Sequence, residues 1–139
     1  MKNGFTILEL IFVIVIIGIL AGIALPHLGS TVNTAEIVKA KSEIAAIRNG
    51  INSKMNTSIL ADNASCPALE GNNTNLYFDN VTKGIKPIDN GIRWTEINAT
   101  TYKLSVDNES TTFNYNNNIN DKCSFTCNST DNLCKELND

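Results

Sequence analysis

The sequence predicts an α+β fold in which a long N-terminal helix packs on a small antiparallel β-sheet. An apolar run opens the chain from Ile7 to Leu25, and apolar residues then recur three and four positions apart. Beyond residue 75, short clusters of β-forming residues alternate with turn signals. A chain of 139 residues has room for one small domain plus an appendage, which excludes a multidomain enzyme.

The balance of charges argues against nucleic acid as a partner. Lys and Arg number 11 against 14 Asp and Glu, which gives a formal net charge of -3. A weakly acidic chain lacks the electrostatic footprint by which proteins bind a phosphate backbone.

The apolar run at the N-terminus allows three interpretations. Every residue from Ile7 to Leu25 is apolar, Gly or Ala apart from Glu9, and the run is about as long as the ~20 residues of a membrane-spanning helix. A secretory signal peptide cut near Ala24 or Gly29 is one interpretation, and a plain membrane anchor is the second. Neither explains Glu9, because a carboxylate at the centre of a membrane costs roughly 2.5–3.5 kcal/mol. The charge therefore indicates a function.

The third interpretation accounts for the run and for its charge. The residues from Gly4 to Glu9 read Gly-Phe-Thr-Ile-Leu-Glu; Lys2 precedes them, and an apolar helix ending at Pro26 follows. This pattern resembles the class III signal of type IV pilins and type II secretion pseudopilins. The resemblance covers about the first 30 residues. It implies that a prepilin peptidase and methylase cuts between Gly4 and Phe5 and methylates the new amino group of Phe5.

A role for Glu9 in assembly follows from the cleaved N-terminus. Cleavage places an α-ammonium on Phe5, four residues before Glu9, and each of these charges is costly in lipid. If the ammonium of a neighbouring subunit meets Glu9, both charges are neutralised where Coulomb attraction is strong. A lone subunit satisfies this pair poorly, so the pair favours insertion into a filament.

The first helix is predicted to have two halves. Residues 5–30 form a transmembrane and filament-core helix, in which Pro26 and Gly29 predict a kink and His27 lies at the lipid boundary. Residues 31–55 form an amphipathic helix, because six apolar residues recur at helical spacing while charged residues occupy its other faces. These six are Ile37, Ala40, Ile44, Ile47, Ile51 and Met55.

Residues 56–139 are predicted to form a globular head with disulfide-stapled loops. A connecting loop from Asn56 to Asn75 precedes three or four short strands, and an irregular polar tail begins at Asn116. The candidate strands are Leu76–Phe78, Ile92–Ile97, Tyr102–Val106 and Thr112–Tyr115. The residues expected to cover the helical stripe are Trp94, Tyr102, Leu104, Val106, Phe113 and Tyr115.

All four cysteines lie in the head, which suits an oxidising compartment outside the cytoplasm. Three pairings of Cys66, Cys123, Cys127 and Cys134 are open; we expect Cys66 to tie the connecting loop to the C-terminal segment and two of the others to pair locally. Zinc sites show closer Cys pairs or added histidines, so no metal site is predicted. In the family resembled, a C-terminal disulfide is common in true pilins, whereas major pseudopilins typically lack it and use calcium.

The head shows no catalytic constellation and two acidic sequons. One histidine and dispersed carboxylates offer no convergent acid, base or nucleophile, so we predict neither an enzyme nor a cofactor. The Asn-X-Ser/Thr triplets at Asn72 and Asn98 have Glu70 and Glu96 two residues before the asparagine. This arrangement resembles the longer acidic sequon of some bacterial glycosylation systems, which makes glycosylation a hypothesis.

The resemblance implies a structural subunit of a type IV pilus-like filament, in the first place a pseudopilin of a type II secretion-like system. A competence pseudopilin for DNA uptake and a true type IV pilin share the same N-terminal signature. A membrane-anchored periplasmic binding module that does not polymerise is a further alternative. The expected location is the inner membrane, with a single pass and the head in the periplasm or in an extracellular filament. The expected partners are other pilin-like subunits, the prepilin peptidase and an inner-membrane assembly platform.

Overall fold

The structure is a computed structural model that describes residues 4–139, with side chains described for residues 4–22 and 34–139. Its elements are helix α1 (Ile7–Leu60), strands β1 (Ile88–Asp89), β2 (Ile92–Asn98), β3 (Thr101–Val106) and β4 (Glu109–Tyr115), a 3-10 turn (Ile119–Asp121), strand β5 (Phe125–Cys127) and helix α2 (Asn132–Asn138). The chain divides into two compact units, residues 1–35 and 36–139. The predicted α+β fold is confirmed.

Helix α1 differs from its predicted bounds at both ends. It begins at Ile7 rather than Phe5, and it continues to Leu60, five residues beyond the predicted end at Met55. The predicted kink at Pro26 and Gly29 and the predicted place of His27 lie outside the described side chains. No helical stretch of the described residues is both long and apolar enough to cross a membrane.

The part of α1 that belongs to the head presents the predicted apolar stripe. Ala40, Ile44, Ile47 and Ile51 are buried in one hydrophobic core, and Ile37 and Met55 pack against it. These positions follow the 3.6-residue period of a helix, so they share one face. Hydrophobic periodicity therefore identified this contact face correctly.

The sheet is a five-stranded antiparallel meander in the order β1-β2-β3-β4-β5. Trp94 pairs with Leu104, and Leu104 pairs with Thr111 on the next strand. Because side chains alternate between the two faces of a strand, paired residues share a face. All six residues predicted to cover the helical stripe are buried: Trp94, Tyr102, Leu104, Val106, Phe113 and Tyr115.

Three predictions about the head are wrong. Leu76–Phe78 is not a strand, since it contributes a single bridge between Tyr77 and Ile85, and Phe78 has a positive φ of 59°. Strands β1 and β5 were not foreseen, because two and three residues are too few to show an alternating pattern. The tail after Asn116 is not irregular: it contains the 3-10 turn, β5 and α2.

An aromatic cluster forms the centre of the head. The ring of Phe78 lies 5.1 Å from that of Trp94, 4.5 Å from that of Tyr102 and 5.8 Å from that of Phe125. The rings of Phe113 and Phe125 stack at 4.9 Å. These spacings are in the range at which aromatic pairs attract beyond their burial. The segment wrongly predicted as a strand thus supplies the central ring of the core.

The polar atoms of the buried aromatic residues have hydrogen-bond partners. Trp94 Nε1 donates to Glu43 Oε2 at 2.8 Å, and the hydroxyl of Tyr102 donates to Glu70 Oε1 at 2.9 Å. The hydroxyl of Tyr115 donates to the carbonyl oxygen of Pro67 at 2.7 Å, and burial raises the pKa of Tyr115 to about 12. Such bonds remove the cost of burying an unpaired polar group.

Gly50 marks a close approach between α1 and a head loop, and we expect Gly50→Ala to destabilise the head. A Cβ at this position would overlap the carbonyl oxygen of Val81. Alanine gains about 1 kcal/mol of helix propensity, but overpacking against a fixed backbone costs roughly 1–3 kcal/mol. Chemical unfolding of the full chain in detergent, followed by the fluorescence of the one tryptophan, measures the net loss.

Asn52→Ala is the matched control, since Asn52 is exposed on the same helix. It adds helix propensity without a clash, so its free energy of unfolding should equal or exceed that of the unchanged chain. A Gly50→Ala chain as stable as Asn52→Ala would contradict the close approach.

Glu43 should make the stability of the head depend on pH. Burial raises the pKa of Glu43 above the ordinary 4.5, and the hydrogen bond from Trp94 offsets part of this rise. The folded state therefore holds the Glu43 proton more tightly, so this contribution stabilises the fold below pH 4.5 and is lost as the pH rises through the raised pKa. Glu43→Gln keeps an acceptor for Trp94 and does not titrate. We expect the free energy of unfolding of Glu43→Gln, relative to that of the unchanged chain, to increase as the pH rises from 4.5 through the raised pKa.

The measurement is tryptophan-monitored unfolding at several pH values between acid and neutral. Glu43→Ala is the control, because it leaves Trp94 Nε1 without its acceptor and should cost about 1–3 kcal/mol. A difference between Glu43→Gln and the unchanged chain that is constant with pH would refute the assignment.

Candidate functional site

The candidate site is the N-terminal segment that carries the predicted cleavage point. Gly4, Phe5 and Thr6 have no regular secondary structure, and the side chain of Phe5 is 86% exposed. A peptidase binds its substrate in an extended conformation. A peptide bond that precedes the first helical turn is therefore more accessible to it than one within the helix. Cleavage between Gly4 and Phe5 and methylation of Phe5 stay predictions.

Thr6 and Glu9 form a reciprocal cap at the start of α1. The backbone N–H of Glu9 donates to Thr6 Oγ1 at 3.3 Å, and the backbone N–H of Thr6 donates to Glu9 Oε2 at 2.9 Å. The hydroxyl of Thr6 also donates to Glu9 Oε2, at 3.0 Å. This is a capping box, in which two backbone donors of the first turn are satisfied by side chains three residues apart.

The cap was not predicted from the sequence, in which Glu9 was interpreted as a charge in an apolar run with a role in assembly. The Thr-x-x-Glu spacing of Thr6 and Glu9 is the signature of a capping box and could have predicted the cap. In the single chain both bonds from Thr6 reach Oε2, and within the described residues Oε1 of Glu9 has no hydrogen bond. One carboxylate oxygen is therefore available to a partner.

Apart from Glu9, the first four turns of α1 are apolar, and they are exposed around the whole helix. A shallow apolar surface beside Glu9 is formed by Leu8, Ile11, Phe12 and Val15. The large apolar side chains that are exposed here are Phe5, Ile7, Leu8, Leu10, Ile11, Phe12, Val13, Ile14, Val15, Ile16, Ile17, Ile19 and Leu20. A continuous apolar surface of this extent indicates contact with lipid or with other helices.

Gly18 and Gly22 provide room for close helix packing that the chain does not use itself. A Cβ built at either position meets no atom within 4 Å. Small residues four apart allow the backbones of two membrane helices to approach closely. The pair is therefore consistent with packing in a bundle.

Both disulfides lie in the head. Cys66 pairs with Cys123, with Cα atoms 5.5 Å apart, and ties the segment after α1 to the tail. Cys127 pairs with Cys134, with Cα atoms 5.8 Å apart, and joins β5 to α2. The expected pairing of Cys66 with the C-terminal segment and of two other cysteines locally is confirmed.

Two acids of the C-terminal segment, Asp121 and Asp131, accept hydrogen bonds from different neighbours. Asp121 accepts from Asn116 Nδ2 at 2.9 Å, and Asp131 accepts from the hydroxyl of Thr111 at 2.7 Å. The described part of the chain contains no group of three or more side chains that could hold a metal ion.

The N-terminal part of the chain is similar in sequence to secretion and pilus components. Residues 1–25 match the family described as the prokaryotic N-terminal methylation motif. The chain is 44% identical over 50 residues to type II secretion system core protein G of Escherichia coli K12, covering 36% of this chain and 34% of that protein.

Two pilus proteins show a similar match. A fimbrial protein of Pseudomonas aeruginosa is 38% identical over 52 residues, covering 37% of this chain and 34% of that protein. The type IV major alpha-pilin of Moraxella bovis is 34% identical over 67 residues, covering 46% of this chain and 42% of that protein. The matches thus span between a third and a half of each relative, and no solved structure matches. Pilins and pseudopilins are structural subunits and not enzymes.

Proposed function

We propose that this chain, whose N-terminal segment is that of type IV pilins and type II secretion pseudopilins, is a structural subunit of a pilus-like filament. The observation that carries the proposal is a single carboxylate, Glu9, in the first turn of α1, where the other residues from 7 to 22 are apolar and exposed. A carboxylate in that place is costly to a lone helix in lipid and useful to a helix that meets a cationic partner.

The filament role follows from the division of the chain into two units. The head, residues 36–139, has its own hydrophobic core and two disulfides. The N-terminal unit exposes apolar side chains along α1 and has no such core of its own among its described residues. Its surface needs lipid before assembly and neighbouring helices after it. The Phe5 ammonium of one subunit and the free Glu9 oxygen of the next would set their register.

Among filament types, we favour a pseudopilin of a type II secretion-like system. The support for this choice is the match to core protein G, 44% identical over 50 residues; the two pilus proteins match to a similar extent, at 38% over 52 residues and 34% over 67. A true type IV pilin is the second candidate, and the disulfide between Cys127 and Cys134 near the C-terminus favours it. A competence pseudopilin is a further alternative. The experiments below separate a filament subunit from the remaining alternative, the membrane-anchored binding module.

The proposed location is the inner membrane, with a single pass and the head in the periplasm or in an extracellular filament. Two disulfides in the head support an oxidising compartment. The proposed partners are other pilin-like subunits, a prepilin peptidase with methylase activity and an inner-membrane assembly platform.

Intact-mass and peptide mass spectrometry of the chain from membranes tests the processing step. We expect a mature chain that begins at Phe5 and is heavier by one methyl group. Gly4→Val should retain the leader, because a bulkier side chain then replaces the glycine that directly precedes the predicted cleavage point. Lys2→Arg preserves the charge of the leader and should be cut normally.

Two other results would contradict the proposal in different ways. A chain that begins after Ala24 or Gly29 would be an exported soluble protein, with no role for Glu9. An uncut chain would favour the membrane-anchored module that does not polymerise.

A further inference from the structure

The head contains seven Asn-X-Ser/Thr triplets, each a formal acceptor sequence for an N-linked glycan. Their asparagines are Asn56, Asn63, Asn72, Asn80, Asn98, Asn108 and Asn128. A transferase needs the amide nitrogen and the flanking backbone to be accessible, and these requirements exclude some of the seven sites.

The fold makes two of the seven asparagines unavailable to a transferase. Asn56 lies inside α1, where the backbone is helical and cannot enter an enzyme as extended chain. The side-chain amide of Asn80 donates from Nδ2 to the carbonyl oxygen of Ala68 at 2.7 Å. Its nitrogen is therefore engaged in holding a loop.

Two sites have an acid two residues before the asparagine, and the structure uses these acids differently. Glu70, which precedes Asn72, is half-buried, and its Oε1 accepts from the backbone N–H of Phe78 at 3.2 Å and from Tyr102 at 2.9 Å. Glu96, which precedes Asn98, is exposed and has no hydrogen bond or ion pair within the described residues. Of these two acids, Glu96 is the one that an enzyme could reach.

A β-bulge presents the segment around Asn98 to solvent. The register shifts between Glu96 and Asn98, so Ile97 is left out of the pairing with β3 and is 58% exposed. Bulges interrupt a ladder and redirect the local side chains. The residues from Glu96 to Ala99 are all exposed at the end of a hairpin.

The side chains of Asn98 and Thr100 are already arranged together. Asn98 Oδ1 accepts from the backbone N–H of Thr100 at 3.0 Å and from its hydroxyl at 3.0 Å. Among the described residues, Asn98 Nδ2 has no hydrogen-bond partner. The nitrogen that would be modified is therefore free, while the oxygen is held by the residue that completes the sequon.

We propose that Asn98 is the acceptor of an N-linked oligosaccharide and that Glu96 is recognised by a cationic side chain of the transferase. The donor is an oligosaccharide on a lipid diphosphate. Asn98 Nδ2 attacks the anomeric carbon, a C–N bond forms, and the bond from that carbon to the diphosphate oxygen breaks. The Nδ2 proton passes to a base of the transferase, and the lipid diphosphate leaves. The site rests on the proposed function in one respect, since the head must lie outside the cytoplasm.

Asn128 is a built-in control for this site. Its Oδ1 also accepts from the backbone N–H and the hydroxyl of a threonine, Thr130, at 3.2 and 2.9 Å, and it is exposed. The position two residues before it is Thr126 instead of an acid. Asn98 and Asn128 therefore share the hydrogen bonds of the sequon; they differ in the acid and in the disulfide that Cys127, next to Asn128, forms with Cys134.

Peptide mass spectrometry of the full chain, isolated from cells that produce it naturally, tests the proposal. We expect an oligosaccharide on the peptide that contains Asn98 and none on the peptide that contains Asn128. Asn98→Gln and Glu96→Gln should each lose the modification, whereas Asn128→Gln should keep it. Glu96 is exposed and unpaired, so Glu96→Gln should fold normally, which Trp fluorescence checks.

The outcomes distinguish this proposal from the proposed function. An unmodified Asn98 in a chain that starts at Phe5 and has both disulfides overturns the glycosylation site alone. Full modification of Glu96→Gln, or modification at Asn72 instead of Asn98, overturns the role given to Glu96. A chain with an intact leader and free thiols overturns the proposed function and removes the premise of this site.

Discussion

A Glu9→Leu chain is expected to reach the membrane and to be cut and methylated, yet to be absent from filaments. Removal of the carboxylate makes the helix more apolar, which favours insertion in lipid. It also removes the proposed partner of the Phe5 ammonium in the adjacent subunit. Fractionation into membrane and sheared-filament material, with mass spectrometry of the N-terminal peptide in each, measures both effects. We expect a near-complete loss from the filament fraction.

Thr6→Val separates the two roles of Glu9. Glu9 caps α1 through Thr6, and in the proposed filament its second carboxylate oxygen also binds a partner. Thr6→Val removes the hydroxyl part of the cap, at a cost of about 1 kcal/mol, and leaves the charge in place. We expect this chain to assemble, with at most a reduced yield. If Thr6→Val and Glu9→Leu were excluded from filaments to the same extent, Glu9 would act through the cap and the pairing model would fail. Normal assembly of Glu9→Leu would favour the non-polymerising module.

Replacement of Cys66 and Cys123 by alanine should cause the larger of the two disulfide losses in the head. The Cys66–Cys123 bond closes a sequence separation of 57 residues, and Cys127–Cys134 closes one of 7. In the chain-entropy account the stabilisation grows with loop length, to about 4 kcal/mol for the long loop and about 2.5 kcal/mol for the short one. Tryptophan-monitored unfolding of the full chain in detergent measures both.

The double variant of Cys127 and Cys134 is the matched control. Each disulfide contributes one cysteine that is almost completely buried, Cys123 at 2% exposure and Cys134 at 1%, so the two variants remove similar packing. The ranking of the two losses is the prediction. An equal or larger loss for the short loop would show that local packing of α2 outweighs closure of the long loop.

In the head, the sequence predicts the elements that have a long repeating pattern and misses the short ones. Strands β2, β3 and β4 and the stripe on α1 were predicted because each repeats an alternation long enough to be read locally. Phe78 was misassigned because its aromatic neighbours suggest a strand, whereas its position at the core centre is decided by contacts with residues far away in sequence. Strand β5 and helix α2 are short and become stable through tertiary contacts and a disulfide.

The candidate site and the proposed modification site likewise combine features that the sequence predicts with features that only the fold decides. The predicted cleavage point and the charge of Glu9 are local sequence features, because a peptidase and a membrane both act on a short linear segment. The cap between Thr6 and Glu9 is also local, and its spacing was present to be recognised. The difference between Glu70 and Glu96 is not local: both precede a sequon by two residues, and only the fold buries one carboxylate against Tyr102 and leaves the other exposed.

The sequence by itself therefore determined the N-terminal signature, the long helix with its apolar stripe, the central strands and the covering residues, since these depend on periodicity and composition over a few turns or strands. Only the tertiary structure decided the pairing of the four cysteines, the place of Phe78, the need for Gly50 opposite Val81 and the availability of Asn98. Each of these depends on which distant segments meet, and the energy of such contacts is not encoded in any one stretch of the chain.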